Sequence, residues 1–170
     1  MINKINLFFV TFFGIGYVKF APGTFASIIT SILLFISFHI LDISSNIILI
    51  FLFFIFFYSL YAVSSYIKKI SNKDPKEVVI DEVIGQSIPI YLYEISHGIS
   101  KQFNDALVFY ALIFILFRFF DITKPFPVSY FDKKFKNSFG VIFDDICAGL
   151  YVVLILILYM ILKWRNYHGR

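Results

Sequence analysis

The sequence predicts an all-α protein, a polytopic membrane helical bundle of about four to five membrane segments with an interfacial helix at its N-terminus. Three observations predict it. Hydrophobic residues make up 59% of the 170 positions and aromatic residues 21%, with 24 Phe, and the mean hydropathy is +0.83. That is more apolar surface than one soluble core of this length can enclose. Charged residues amount to only 15%, and they collect in short stretches instead of lining one face of each helix. Between those stretches run apolar segments that approach the ~20 residues a helix needs to cross a bilayer. No soluble linker or internal repeat divides the chain, so residues 1–170 read as a single membrane-embedded domain.

The elements follow in order. Residues 5–13, after Lys4, imitate a signal peptide, but Gly14-Ile15-Gly16-Tyr17-Val18-Lys19 supplies no small-x-small cleavage site, so a retained helix lying on or dipping into the membrane is expected. The stretch Ala21-Pro22-Gly23-Thr24-Phe25-Ala26-Ser27 reads as a turn followed by a hydroxyl N-cap. Four spans are expected over residues 26–41, 46–66, 106–120 and 146–162. A fifth segment, 78–95, is apolar apart from Asp81, Glu82, Gln86 and Glu94 and contains Pro89, which predicts a kinked or partly buried helix. Pro125 should stop the helix that holds Arg118 and Asp121, biasing Lys124 towards an extended conformation.

Lysines orient the spans. With Lys68, Lys69, Lys73 and Lys76 in one cytoplasmic loop and Lys124, Lys133, Lys134 and Lys136 in another, the N-terminus lies inside and five segments alternate across the membrane. Lys163, Arg165 and Arg170 then fall outside, against the rule. If residues 78–95 were re-entrant instead, the Asp121 and Asp144 groups would part from Asp81. In the five-segment order, Asp81 and Glu82, Asp121, and Asp144 and Asp145 come from three segments yet meet on the cytoplasmic side. The basic loop suits anionic lipid headgroups, and no nucleic-acid partner is expected.

Each acidic group has a bland reading. Asp144 or Asp145 could cap the last span, and Asp81 or Glu82 could cap the segment after it, but one acid suffices for each cap. Arg118 and Asp121 could be a simple i, i+3 ion pair. Read together, carboxylates from separate elements without histidine form the all-oxygen donor set that Mg2+ prefers, whereas zinc would want His or Cys. His39, His97 and His168 stand apart from every acidic group. Cys147 is the sole cysteine, which excludes an internal disulfide, and the position six residues on is Val153, not the Arg that a cysteine phosphatase loop would need. Gly14-x-Gly16 lacks the third glycine and the strand of a nucleotide fingerprint.

Pro22-Gly23-Thr24, Asp81-Glu82-x-x-Gly85-Gln86, Phe117-Arg118-x-x-Asp121-x-x-Lys124-Pro125-x-Pro127 and Asp144-Asp145-x-x-Ala148-Gly149 together resemble the phosphatidylglycerophosphatase A family. The motifs stand in the same order and reach from the N-terminus to the last span. Ala26 departs from the glycine the family commonly has there. The resemblance implies a multi-pass enzyme of the bacterial cytoplasmic (inner) membrane, with its active site on the cytoplasmic side. Its substrate would be the lipid phosphatidylglycerophosphate, its products phosphatidylglycerol and phosphate, and its cofactor Mg2+.

On that reading Asp81, Glu82, Asp121, Asp144 and Asp145 hold one or two Mg2+ ions, and Asp81, Asp121, Asp144 or Asp145 supplies the catalytic carboxylate. Arg118, Lys124 and Thr24 bind the phosphoryl group. The alternatives are a non-enzymatic transporter, which would pair charges near mid-bilayer, and another Mg-dependent lipid phosphotransferase. The CDP-alcohol type lacks its Asp-Gly-x-x-Ala-Arg run here.

Overall fold

A computed structural model describes residues 4–68, 75–96, 102–134 and 137–168, without the side chains of 131–133, 164 and 166–168. The elements are α1 (Lys4–Val10), a 3-10 turn (Ile15–Tyr17), α2 (Pro22–His39), α3 (Ser45–Ile67), α4 (Ile80–Ser96), α5 (Phe103–Thr123), α6 (Val128–Lys134) and α7 (Ser138–His168). The described residues form helices and connections, without strands. Helices α2, α3, α5 and most of α7 are long and apolar enough to cross a membrane.

Helix α4 is the axis of the bundle, packed against α2, α3, α5 and α7. Its buried set includes Ile80, Val83, Ile84, Gly85, Gln86, Pro89 and Ile90. The outer faces are apolar too: Phe53, Phe54 and Phe57 of α3, Val108 and Ile115 of α5, and Leu154 and Leu158 of α7 are exposed. In water such faces would drive aggregation, and in a bilayer they meet acyl chains at little cost.

The closest helix crossing, between α4 and α7, is made by glycine. A β-carbon on Gly149 would lie 2.5 Å from the Gly85 carbonyl oxygen, and one on Gly85 would lie 2.6 Å from the Asp145 carbonyl oxygen. Without side chains at these two points the backbones approach to contact, the membrane-helix use of small residues.

Helix α4 runs in the same direction as α2, so that its Glu94 meets His39, the last residue of α2, at 3.1 Å. It therefore traverses the bundle, and α5 returns. The separation of the Asp121 and Asp144 groups from Asp81, which a re-entrant segment would have produced, does not occur.

Several boundaries differ from expectation. Helix α2 begins at Pro22, the favoured proline position at a helix start, and Ala21 at its cap has φ 46 with no side-chain cap bond. The expected hydroxyl cap is absent because Pro22 and Gly23 lie inside the first turn. Helix α7 begins eight residues before the expected 146, capped by Asn137, whose Oδ1 accepts the Gly140 N–H at 3.0 Å. Lys124 is left-handed, φ 43, at the C-cap of α5, not extended, since the chain must turn sharply into Pro125. Helix α6 was not foreseen, its seven residues being too short for a periodic signal.

Candidate active site

Local structure brings the acidic groups to one end of the bundle. The segment before α4 is held on both sides: Val79 N–H donates to the Val10 carbonyl at 3.0 Å, and the Tyr66 hydroxyl donates to Glu77 Oε1 at 2.8 Å. Asp81 and Glu82 then occupy the first turn of α4, where the helix dipole favours carboxylates. At the same end, α2 starts, α5 finishes with Asp121, and α7 passes through its second turn with Asp144 and Asp145. Neither of the latter is a cap, Asn137 having that role.

Asp81, Glu82 and Asp145 each offer a carboxylate oxygen within 4.8 Å of the others. Asp81 Oδ1, Glu82 Oε2 and Asp145 Oδ2 are shielded from solvent and have no hydrogen-bond partner among the described residues. Three ionised carboxylates at that spacing repel by roughly 3–4 kcal/mol per pair at an effective dielectric near 20. Such a focus calls for a cation or a shared proton.

The other two acids are held at its rim by cations. Arg118 Nη1 stands 2.6 Å from Asp121 Oδ2, and Lys124 Nζ donates to Asp144 Oδ2 at 2.8 Å. Lys124 reaches Asp144 from its left-handed position at the end of α5. Asp121 remains within Coulombic reach of Glu82 and Asp145, and Asp144 within reach of Asp81 and Asp145. The Arg118 Nε–H has no acceptor among the described residues, so the guanidinium keeps donor capacity for an anion.

Thr24 lies half-buried in the first turn of α2. Its neighbour Gly23 is the closer participant. A β-carbon there would overlap Glu82 Oε1 and lie 3.3 Å from Arg118 Nη1, so glycine lets the start of α2 close over the carboxylate.

Gln86 was not singled out as a site residue from the sequence. It is 0% exposed, one turn beyond Glu82 on α4, and neither amide atom has a partner among the described residues. Only its place in the Asp81-Glu82-x-x-Gly85-Gln86 motif could have flagged it. A buried unpaired amide costs stability, so Gln86→Leu should leave thermal stability unchanged or higher. If the amide serves the site, the variant should lower kcat/KM about tenfold, the scale of one hydrogen bond. Unchanged kinetics would assign Gln86 to packing alone.

His39 lies at the opposite end of the bundle with Glu94, away from the carboxylates. Lys69, Lys73, His97, Lys136 and Arg170 lie outside the described residues, as do the side chains of Lys133 and His168.

The phosphatidylglycerophosphatase A family model matches residues 8–160. The chain belongs to that family. It is 36% identical over 155 residues to a phosphatidylglycerophosphatase A of Haemophilus influenzae, covering 91% of this chain and 88% of that protein. A Bacteroides thetaiotaomicron protein named "Putative phosphatidylinositol-3-phosphatase" is 31% identical over 148 residues, covering 86% of this chain and 87% of that protein. The Escherichia coli phosphatidylglycerophosphatase A matches over 77 residues at 32% identity, 45% of this chain and 40% of that protein. No solved structure matches. Membership makes the chain a phosphatase, a phosphoric monoester hydrolase, and the apolar helices agree with a membrane enzyme of lipid metabolism.

Proposed function

We propose that this chain, as one membrane-embedded domain over residues 1–170, hydrolyses the terminal phosphomonoester of phosphatidylglycerophosphate, leaving phosphatidylglycerol and free phosphate, with Mg2+ as its metal. The observation that carries the reading is the carboxylate focus of Asp81, Glu82 and Asp145 beside two cationic side chains, at the end of an apolar bundle. A lipid headgroup sits at that depth. The Haemophilus influenzae relative is named for this activity.

The donor set fits a hard cation: acceptor-only oxygens with unused lone pairs, and neither His nor Cys among them. Bound there, Mg2+ would neutralise phosphate charge and act as a Lewis acid. Arg118 can grip two phosphoryl oxygens with its planar fork, and Lys124 adds a point charge. Thr24, at the start of α2, is the remaining candidate for the phosphoryl group. Asp121 and Asp144, at the rim, complete the proposed set. One carboxylate either takes a proton from attacking water or itself attacks phosphorus. In either case the bond from phosphorus to the lipid oxygen breaks and that oxygen gains a proton. Label found in an enzyme carboxylate after a single turnover in ¹⁸O-water would exclude direct water attack, because it requires an acyl phosphate opened at carbon.

Purified protein in detergent should release phosphate from phosphatidylglycerophosphate, lose that activity in excess EDTA and regain it with Mg2+. Activity indifferent to EDTA would sink the metal-dependent reading. The Bacteroides relative's name motivates a second substrate, phosphatidylinositol-3-phosphate, in the same assay, and faster turnover of it would transfer the assignment to that lipid.

The carboxylate end is proposed to face the cytoplasm of a bacterial cell, because Lys68, Lys76 and Lys124 lie at the same helix ends. Alkaline phosphatase fused after residue 162 should then be active and green fluorescent protein at the same point dark. The reverse pattern would place the site on the outer face.

A further inference from the structure

An apolar groove of about 340 Å³ opens between α3, α4 and α7. Its walls include Leu52 and Phe56 of α3, Ile84, Ser87 and Ile88 of α4, and Ile146 of α7. Two lining residues carry hydroxyls, Ser87 and Tyr91, and Ser87 Oγ is spent on the Val83 carbonyl at 2.6 Å. Ligand pockets of this character run from about 300 Å³ upward.

Two of the residues lining the groove stand beside the candidate site along their helices. Ile146 follows Asp145 directly, and Ile84 lies between Glu82 and Gly85. From there it follows α4 to Leu92, eight residues at ~1.5 Å each, or about 12 Å. One leaflet of bilayer hydrocarbon is about 15 Å deep. A phosphate at the carboxylates would thus leave the rest of an amphiphile alongside a slot nearly as deep as the leaflet that holds it. Phe53, on the outer side of the slot, is 54% exposed, so a chain can enter sideways from the membrane.

We propose that this groove is the acyl-chain subsite for the lipid substrate, seating one fatty-acyl chain between α3 and α4 while the headgroup phosphate meets Arg118 and Lys124. The proposal rests on the lipid-phosphatase reading above and adds to it a chain-length selectivity. Apolar burial scales with methylene count, at about 0.8 kcal/mol for each CH2, so a long chain gains much from the slot and a short one little.

The test compares dioleoyl and dihexanoyl phosphatidylglycerophosphate with the parent, Ile88→Trp and Leu52→Trp. The two variants fill the groove from opposite walls, and each is first checked by size-exclusion chromatography in detergent for the parent's elution profile. Expected is a rise of about tenfold or more in KM for the dioleoyl lipid, with kcat/KM for the dihexanoyl lipid within about twofold of the parent. Equal losses on both lipids by a correctly eluting variant, or no change on either, overturn the acyl-chain subsite. Failure of the parent on both lipids would instead overturn the phosphatase reading, and the subsite with it.

Discussion

Asp145→Asn should lower kcat about 10²–10³-fold, the scale seen when one preorganised charge-stabilising group is removed from an active site. The substitution keeps shape and removes charge from one of three carboxylates whose oxygens lie within 4.8 Å. Its effect on the fold should run the other way. In EDTA the variant relieves repulsion between carboxylates that each have an oxygen without a hydrogen-bond partner among the described residues, so its Tm should exceed the parent's by a few degrees. Added Mg2+ should raise the parent's Tm by preferential binding to the folded state and raise the variant's much less. Phosphate release and thermal melts with and without Mg2+ check both halves. A variant that loses activity and also melts earlier in EDTA would make Asp145 a structural residue.

The second large effect concerns two glycines that a sequence treats alike. Gly23→Ala should retain the fold and lose about 10²-fold in activity, because the new methyl overlaps the mobile end of Glu82 and comes within 3.3 Å of Arg118 Nη1. A carboxylate tip can move aside at small cost, but it then leaves the proposed metal-binding geometry, where displacements near 1 Å are felt strongly. Gly149→Ala should instead destabilise the protein, since its methyl would lie 2.5 Å from the Gly85 backbone oxygen and only separation of α4 from α7 relieves the overlap. The first variant should elute and melt as the parent does while turning over slowly. The second should melt several degrees lower. Equal melting behaviour would refute the contrast.

The rim pairs temper what charge removal elsewhere would do. Lys124 and Asp144 hold each other at 2.8 Å, with Asp144 nearly buried and Lys124 more open. Removing the lysine takes the cation from a buried acid that keeps the Asp145 N–H on its other oxygen, the costly half of breaking such a pair. An activity loss on that substitution therefore mixes phosphate binding with site disruption, which makes Asp145 and Gly23 the cleaner probes.

Much of this protein was legible in its sequence, for one reason: a bilayer demands long apolar helices whose backbone bonds close internally. Hydropathy therefore located the spans, and lysines and acids marked their ends. The ordered motifs identified the family. Helix starts were less legible. The first two turns of α7 interrupt their apolar residues with Ser138, Gly140, Asp144 and Asp145 and the cap is Asn137, so an apolar window finds the helix late.

What no pattern in one dimension could decide is the partnership of side chains within the site. Asp144 and Asp145 are neighbours in sequence but about 100° apart around a helix of 3.6 residues per turn. One therefore turns to Lys124 and the other to Asp81 and Glu82. Gly23 matters because of Glu82, a residue on another helix, and the apolar slot exists only where α3, α4 and α7 diverge. Periodicity and composition act along a chain, whereas ligation, overlap and cavities depend on ångström distances between helices, which only their packing sets.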